Sequence, residues 1–195
     1  MLSTHNTSDG DPLHPVIDWS RITTEHFVHW YQSDDSIVRS VGAFISHGLR
    51  KGDAAIVIST GSHRLGIEQF LQSNGLEVEK LRRSGRYIPL DAFETLEKFM
   101  VENQPDRKRF FDTVGALVSR ASNSWGGLRA FGEMVAILWE SGNCDGAIQL
   151  ENLWNELAEI YRFALFCAYP KRPVGSEEQR EALAHVCNAH SLVIL

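Results

Sequence analysis

The sequence predicts an α/β domain built on a doubly wound, mostly parallel sheet with helices on both faces. Three observations carry that prediction. Short β-branched or aromatic runs alternate with longer stretches of helical periodicity along most of the chain, the pattern of a parallel sheet covered on both sides. One run, "AAIVIS" at 54–59, is apolar up to its last residue, as a central strand requires. A chain of 195 residues, 43% hydrophobic and 23% charged, can bury one sizeable core, and one domain is the expectation.

Residues 1–18, "MLSTHNTSDGDPLHPVID", are polar and broken by Gly10, Pro12 and Pro15, and are read as a mobile tail before a domain at 19–195. The first strand is "HFVHWY", 26–31. The helix after it places Ile37, Val41, Phe44, Ile45 and Leu49 on one face and ends at Gly52 as a left-handed cap. After the second strand a helix covers 62–74. "RYIPL", 86–90, is a weaker strand, confined by Pro89 to an edge or a strand end. Helices are predicted at 92–103 and 106–121, on either side of Pro105. "GLRAFGEM", 127–134, starts as a strand and turns into a helix from Val135 to Trp139. A helix at 144–160 and a strand at 163–170 follow. Ser176 and Gln179 have capping-box spacing before the last helix, and "SLVIL" reads as one more strand.

Bulk chemistry narrows the function. A net charge of −6 argues against an electrostatic nucleic-acid binder, which needs a basic face to displace counterions. No apolar run approaches the roughly 18 residues of a membrane span. The first basic residue is Arg21, unlike a signal peptide, and three cysteines in no metal-ligand spacing suit a reducing compartment, so a cytoplasmic location is expected.

The loop Tyr31–Gln32–Ser33–Asp34–Asp35–Ser36 lies where a nucleotide-binding protein of this layout would cradle phosphate. Such loops work through glycines, which let backbone N–H groups approach the anion, and a lysine that reaches the outer phosphates. This one has neither. Ser33 is a good N-cap, and Asp34 and Asp35 complement the positive end of the following helix. It is not a nucleotide loop.

In open parallel sheets, ligands bind beyond the carboxyl ends of the strands. The groups due there are His29, Tyr31, Ser59, Thr60, Asp91, Glu133 and Tyr169, which together predict a mostly apolar pocket with a few polar anchors. Glu133 has two readings. It is either a salt-bridge partner of an arginine such as Arg129, or a ligand anchor. Ser62–His63 has no clear acid partner in the sequence, no catalytic triad is readable, and Cys187 with His190 is at best half a metal site. No metal and no cofactor are expected. Trp139 and Trp154 are read as packing residues, and "DRKRF", 106–110, as a solvated helix start.

The stretches "HFVHWYQSDDSIVRSVGAFISHGLRKGD", "GLRAFGEMVAILW", "LFCAYP" and "CNAHSLVIL" resemble the MEDS sensory domain, found in DcmR-type regulators of methylotrophs, in methanogen regulators and in bacterial sensor kinases. The resemblance spans about 24–195. It implies a relative of RecA and KaiC-type ATPases that has lost its phosphate loop, and a sensor of small molecules, with hydrocarbon derivatives as the proposed class. Carried over, the patterned positions are His26 or His29, Tyr31, Gly48, Gly52, Arg129, Gly132, Glu133, Cys167, Tyr169 and His190. Where many members have Ser-Trp after "GEM", this chain has Val135–Ala136.

The resulting expectation is a non-catalytic, RecA-like sensory module that binds a small, largely apolar ligand through His29, Tyr31, Ser59, Glu133 and Tyr169. A regulatory protein such as a kinase or transcription regulator would read the signal, without direct contact to nucleic acid or membrane; a homodimer is compatible with that role. Two rivals stay open: a protein-interaction module without a ligand, using a helix such as 144–160, and a residual nucleotide-binding RecA-like protein.

Overall fold

A computed structural model describes residues 18–20, 22–171 and 177–194. Among them, six parallel strands form one sheet: β1 (His26–Tyr31), β2 (Ala54–Ser59), β3 (Tyr87–Asp91), β6 (Leu128–Gly132), β7 (Ala164–Pro170) and β8 (Leu192–Ile194), in the order β3-β2-β6-β7-β1-β8. Two further strands, β4 (Met100–Val101) and β5 (Gln104–Pro105), form a small antiparallel hairpin. The doubly wound α/β prediction holds, and the sheet is wholly parallel.

Winding direction sorts the helices. From β1 the chain moves toward β3, placing α1 (Asp34–Lys51) and α2 (Gly61–Ser73) on one face with Phe27, Val57, Phe131 and Phe166. From β3 it moves back, and α6 (Ala116–Ser124), α7 (Met134–Glu140) and α8 (Cys144–Tyr161) cover the opposite face with Val28, Ile56, Ala130 and Cys167. The final helix α9 (Glu177–Asn188) packs beside α8. Chains leaving β1 and β2 therefore diverge from those leaving β6 and β7, which opens a crevice at the carboxyl ends of the strands.

Local chemistry explains most boundaries. Ser33 and Ser36 form a capping box at the start of α1, and Gly52, at φ 105°, closes it in the left-handed region. Pro89 sits on β3, which among the described residues is an edge strand paired with β2. Gly42 faces Phe70 and Gly66 faces Val38, so α1 and α2 approach closely. The N-terminal end of β6 is tied by Arg129. Its guanidinium meets Asp53 Oδ2 at 3.3 Å and donates to the carbonyls of Trp19 (3.1 Å), Ile22 (3.0 Å) and Phe44 (3.4 Å). A β-carbon at Gly48 would collide with this side chain.

Three expectations need correction. The helix foreseen at 92–103 stops after α4 (Ala92–Glu97), because Glu102 and Asn103 take φ values of 47° and 67° and turn the chain into the β4–β5 hairpin. A short helix α3 (Val78–Arg83), not foreseen, precedes β3. The helix after Pro105 is longer than expected: α5 (Arg107–Phe110) runs through a π-turn at 111–115 into α6. "SLVIL" does form a strand, β8. The tail at 1–17 and the capping role of Ser176 fall outside the described residues. No described helix is long and apolar enough to cross a membrane.

Candidate functional site

The crevice at the strand ends is a cleft of about 350 Å³, lined by Tyr31, Asp34, Thr60, His63, Glu133 and Lys171 among others. They come from four connections, those that follow β1, β2, β6 and β7. Tyr31 ends β1, and its carbonyl accepts from the backbone N–H of Lys171, which follows β7, at 2.7 Å. Asp34 opens α1, and Thr60 and His63 lie at the start of α2. Glu133 follows β6, its own N–H donating to Ile58 O at 2.9 Å.

The centre of the cleft is a histidine–carboxylate pair. His63 Nδ1 lies 2.6 Å from Glu133 Oε1, both side chains being almost fully buried. Thr60 donates its backbone N–H to Glu133 Oε2 at 2.8 Å. The other ring nitrogen, His63 Nε2, is 3.4 Å from Asp34 Oδ1, a carboxylate 82% exposed at the rim. The hydrogen bond that His63 donates to Glu133 raises the His63 pKa above its ordinary 6.5, against the pull of burial, and Asp34 adds to the rise. The imidazole thus joins three elements: α1 through Asp34, α2 through its own backbone, and the β6–α7 junction through Glu133.

Of the five residues expected in the pocket, the structure brings Tyr31 and Glu133 together. The other three lie elsewhere. Trp30 and Tyr169 are register partners and stack at 4.8 Å, on the face opposite Tyr31. Tyr169 therefore points under α8, where its hydroxyl donates to Glu151 Oε1 at 2.8 Å. His29 sits two residues short of the strand end, opposite Ala168, and Ser59 is fully buried and does not line the cleft. His63, Thr60, Asp34 and Lys171 went unassigned. Thr60 was at least due at the strand ends, whereas Asp34 was read as complementing the positive end of α1.

Two pairings are also corrected. Glu133 does not bridge to Arg129, which is committed to Asp53 and three carbonyls, and His63 does have acid partners, Glu133 and Asp34. The expected mostly apolar lining is polar instead, with Gln32, Ser33, Ser62 and Glu140 adding to the groups above. The basic run at 107–109 is solvent-exposed as expected, and Trp154 is fully buried against Phe110 and Phe163.

The profile of the methanogen/methylotroph, DcmR sensory domain, abbreviated MEDS, matches residues 25–190. This chain belongs to the MEDS family. The match covers every strand of the sheet except β8. Among curated proteins, none matches. The MEDS fold seen here is similar to the crystal structure of an uncharacterized protein, PH0321, from Pyrococcus horikoshii in complex with an unknown peptide. The TM-score is 0.64 at 12% identity, covering 89% of this chain and 77% of that one. At that identity the likeness bears on the fold alone.

Proposed function

We propose that this MEDS domain is a non-catalytic receptor that binds a small organic molecule in the strand-end cleft and passes the signal to a regulatory protein. The single observation behind this reading is the buried His63–Glu133 pair at the floor of an open cleft, with Asp34 completing the chain at its rim. The polar lining favours a ligand with a hydrogen-bond-donating or cationic head, such as an alcohol or amine derivative of a hydrocarbon, over a bare hydrocarbon. Such a head competes with His63 for Glu133 or Asp34. Separating that pair would loosen α2 from α1 and from the β6–α7 junction, and the ligand thereby shifts the population of helix arrangements.

The cleft occupies the position of a phosphate loop, yet Asp34, Glu133 and Glu140 line it and Lys171 is the one lysine among them. A triphosphate would meet like charge there, which weighs against residual nucleotide binding.

The test is a thermal-shift screen of short-chain alcohols, amines and halogenated hydrocarbons against the wild type and Glu133→Gln. A ligand bound to the native state raises Tm in a saturable manner. The wild type is expected to respond and Glu133→Gln to lose most of the response. Hits that stabilise both proteins equally would remove Glu133 from the site.

A further inference from the structure

A second group of polar side chains lies away from the cleft, between the sheet and α8. His26 begins β1, Cys167 lies within β7, Glu151 is on α8 and His190 follows α9; all four are buried. One ligand-type atom from each converges so that all lie within 4.8 Å of one another. His26 Nε2 is 3.3 Å from Cys167 Sγ and 3.3 Å from Glu151 Oε2, and His190 Nε2 is 3.5 Å from the same oxygen.

The outer hydrogen bonds fix which atoms face inward. Asn155 donates its amide N–H to Ala189 O at 3.2 Å, which leaves its Oδ1 as the acceptor for His26 Nδ1–H at 2.7 Å. His190 Nδ1 lies 2.6 Å from Val186 O, a group that can only accept. Both imidazoles thus spend their Nδ1 proton outward and, when neutral, turn Nε2 lone pairs toward a carboxylate oxygen and a thiol. Glu151 Oε1 is occupied by the Tyr169 hydroxyl, while Glu151 Oε2 and His190 Nε2 have no well-directed hydrogen bond among the described residues. Four electron-pair donors therefore face one another around a buried point. A cation at that point resolves the arrangement.

We propose that His26, Cys167, Glu151 and His190 form a four-ligand site for a divalent transition-metal ion, with zinc the best match to the donor set. A tetrahedral zinc with bonds of about 2.0–2.3 Å has ligand–ligand edges of roughly 3.3–3.8 Å, and the three close pairs already fall in or at that range. Two imidazoles, one thiolate and one carboxylate suit zinc, and four protein ligands leave no open position, so the site is structural or regulatory. Its outer bonds to Asn155, Val186 and Tyr169 are of the kind that orient metal ligands. Binding releases the Cys167 proton to solvent. An entry route exists: His26 and Asn155 line a surface cleft of about 410 Å³ together with Thr24, Arg162, Asn188 and Ala189. A bound ion joins β1, β7, α8 and the segment that leads into β8.

The test uses the full chain stripped with a chelator and titrated with cobalt(II), then zinc(II). One equivalent of cobalt is expected to give the visible bands of a tetrahedral site and a near-ultraviolet thiolate-to-metal charge-transfer band, both erased by zinc. Zinc alone is expected to raise Tm by several degrees. Cys167→Ser should lose the charge-transfer band, whereas Cys187→Ser and Cys144→Ser should keep it; His26→Gln should weaken zinc binding at least tenfold. Should the Cys167 variant fail to fold, X-ray absorption of the zinc-loaded wild type must show one sulfur and two imidazole ligands. Absence of stoichiometric binding, a band that survives Cys167→Ser, or a zinc shell without sulfur would each overturn the proposal; the first outcome would leave a proton shared between the histidines and Glu151. None of these readouts depends on a ligand in the strand-end cleft.

Discussion

Glu133 and Glu151 make an instructive pair. Both are buried carboxylates, 4% and 1% exposed, and both face histidine. Glu133 stands at the floor of an open cleft, and its oxygens accept from one imidazole and from the backbone N–H and the hydroxyl of Thr60. Glu151 is enclosed by two imidazoles, a thiol and a phenol, with one oxygen poorly bonded. Burial alone would push the Glu151 carboxyl up, yet His190 and His26 hold it well below the usual carboxylate range. Its charge in turn adds to burial in raising the Cys167 thiol and the Tyr169 phenol well above their ordinary values. A carboxylate at the floor of an open cleft can exchange its partner for a solute. One sealed among donors can exchange only a proton or an ion.

That contrast sets the sizes of mutational effects. The largest is expected for Glu151→Ala, which leaves buried imidazoles and the Tyr169 hydroxyl without their common acceptor; chemical denaturation should show a loss of about 3–5 kcal/mol. A loss below about 1 kcal/mol would mean that the cluster tolerates an empty centre. Glu133→Gln should cost less, about 1–2 kcal/mol, because His63 can shed its proton where an arginine could not. A cost as large as that of Glu151→Ala would put the two sites in one class.

The histidine at the cleft also predicts a pH dependence. The His63 pKa is raised in the folded state by the hydrogen bond it donates to Glu133, so its contribution is fully present below the unfolded value of 6.5. It is lost as pH rises through the higher folded value. Between those two values wild-type Tm should fall relative to Glu133→Gln, and parallel profiles would show that His63 is not the group responsible. Smaller still is Ser33→Ala at the cleft rim, where loss of the capping box should cost about 1 kcal/mol. Finally, millimolar ATP with magnesium should leave Tm unchanged. A saturable rise would restore the nucleotide reading of the cleft.

The fold was legible because its signals are local. Runs such as "AAIVIS" and "LFCAYP" are apolar enough to fill a two-sided sheet, and Gly52 and Ser33 mark the ends of α1 by their own chemistry. The β4–β5 hairpin was missed because its turn is carried by Glu102–Asn103, where only asparagine favours the left-handed region. Tyr31 and Glu133 could be placed by the rule of strand ends. Tyr169 was misplaced although strand alternation held the answer: its register partner is Trp30, so it shares Trp30's face and not that of Tyr31. His63 stayed hidden because its acid partner lies 70 residues away. The four donors around Glu151 come from four separate elements, and no spacing rule brings them together.

The place of β1 has one more consequence. It lies between β7 and β8, so the residues that flank it in space are made long after it; His26 and Cys167 are 141 positions apart. Closing that distance costs chain entropy before any long-range contact repays it. On a ribosome β1 emerges early and waits, and the β2–β3 and β2–β6 pairings can form ahead of it. Completion of the sheet thus waits for the synthesis of β7 and β8, and a slow folding phase should report the docking of β1 between these two neighbours.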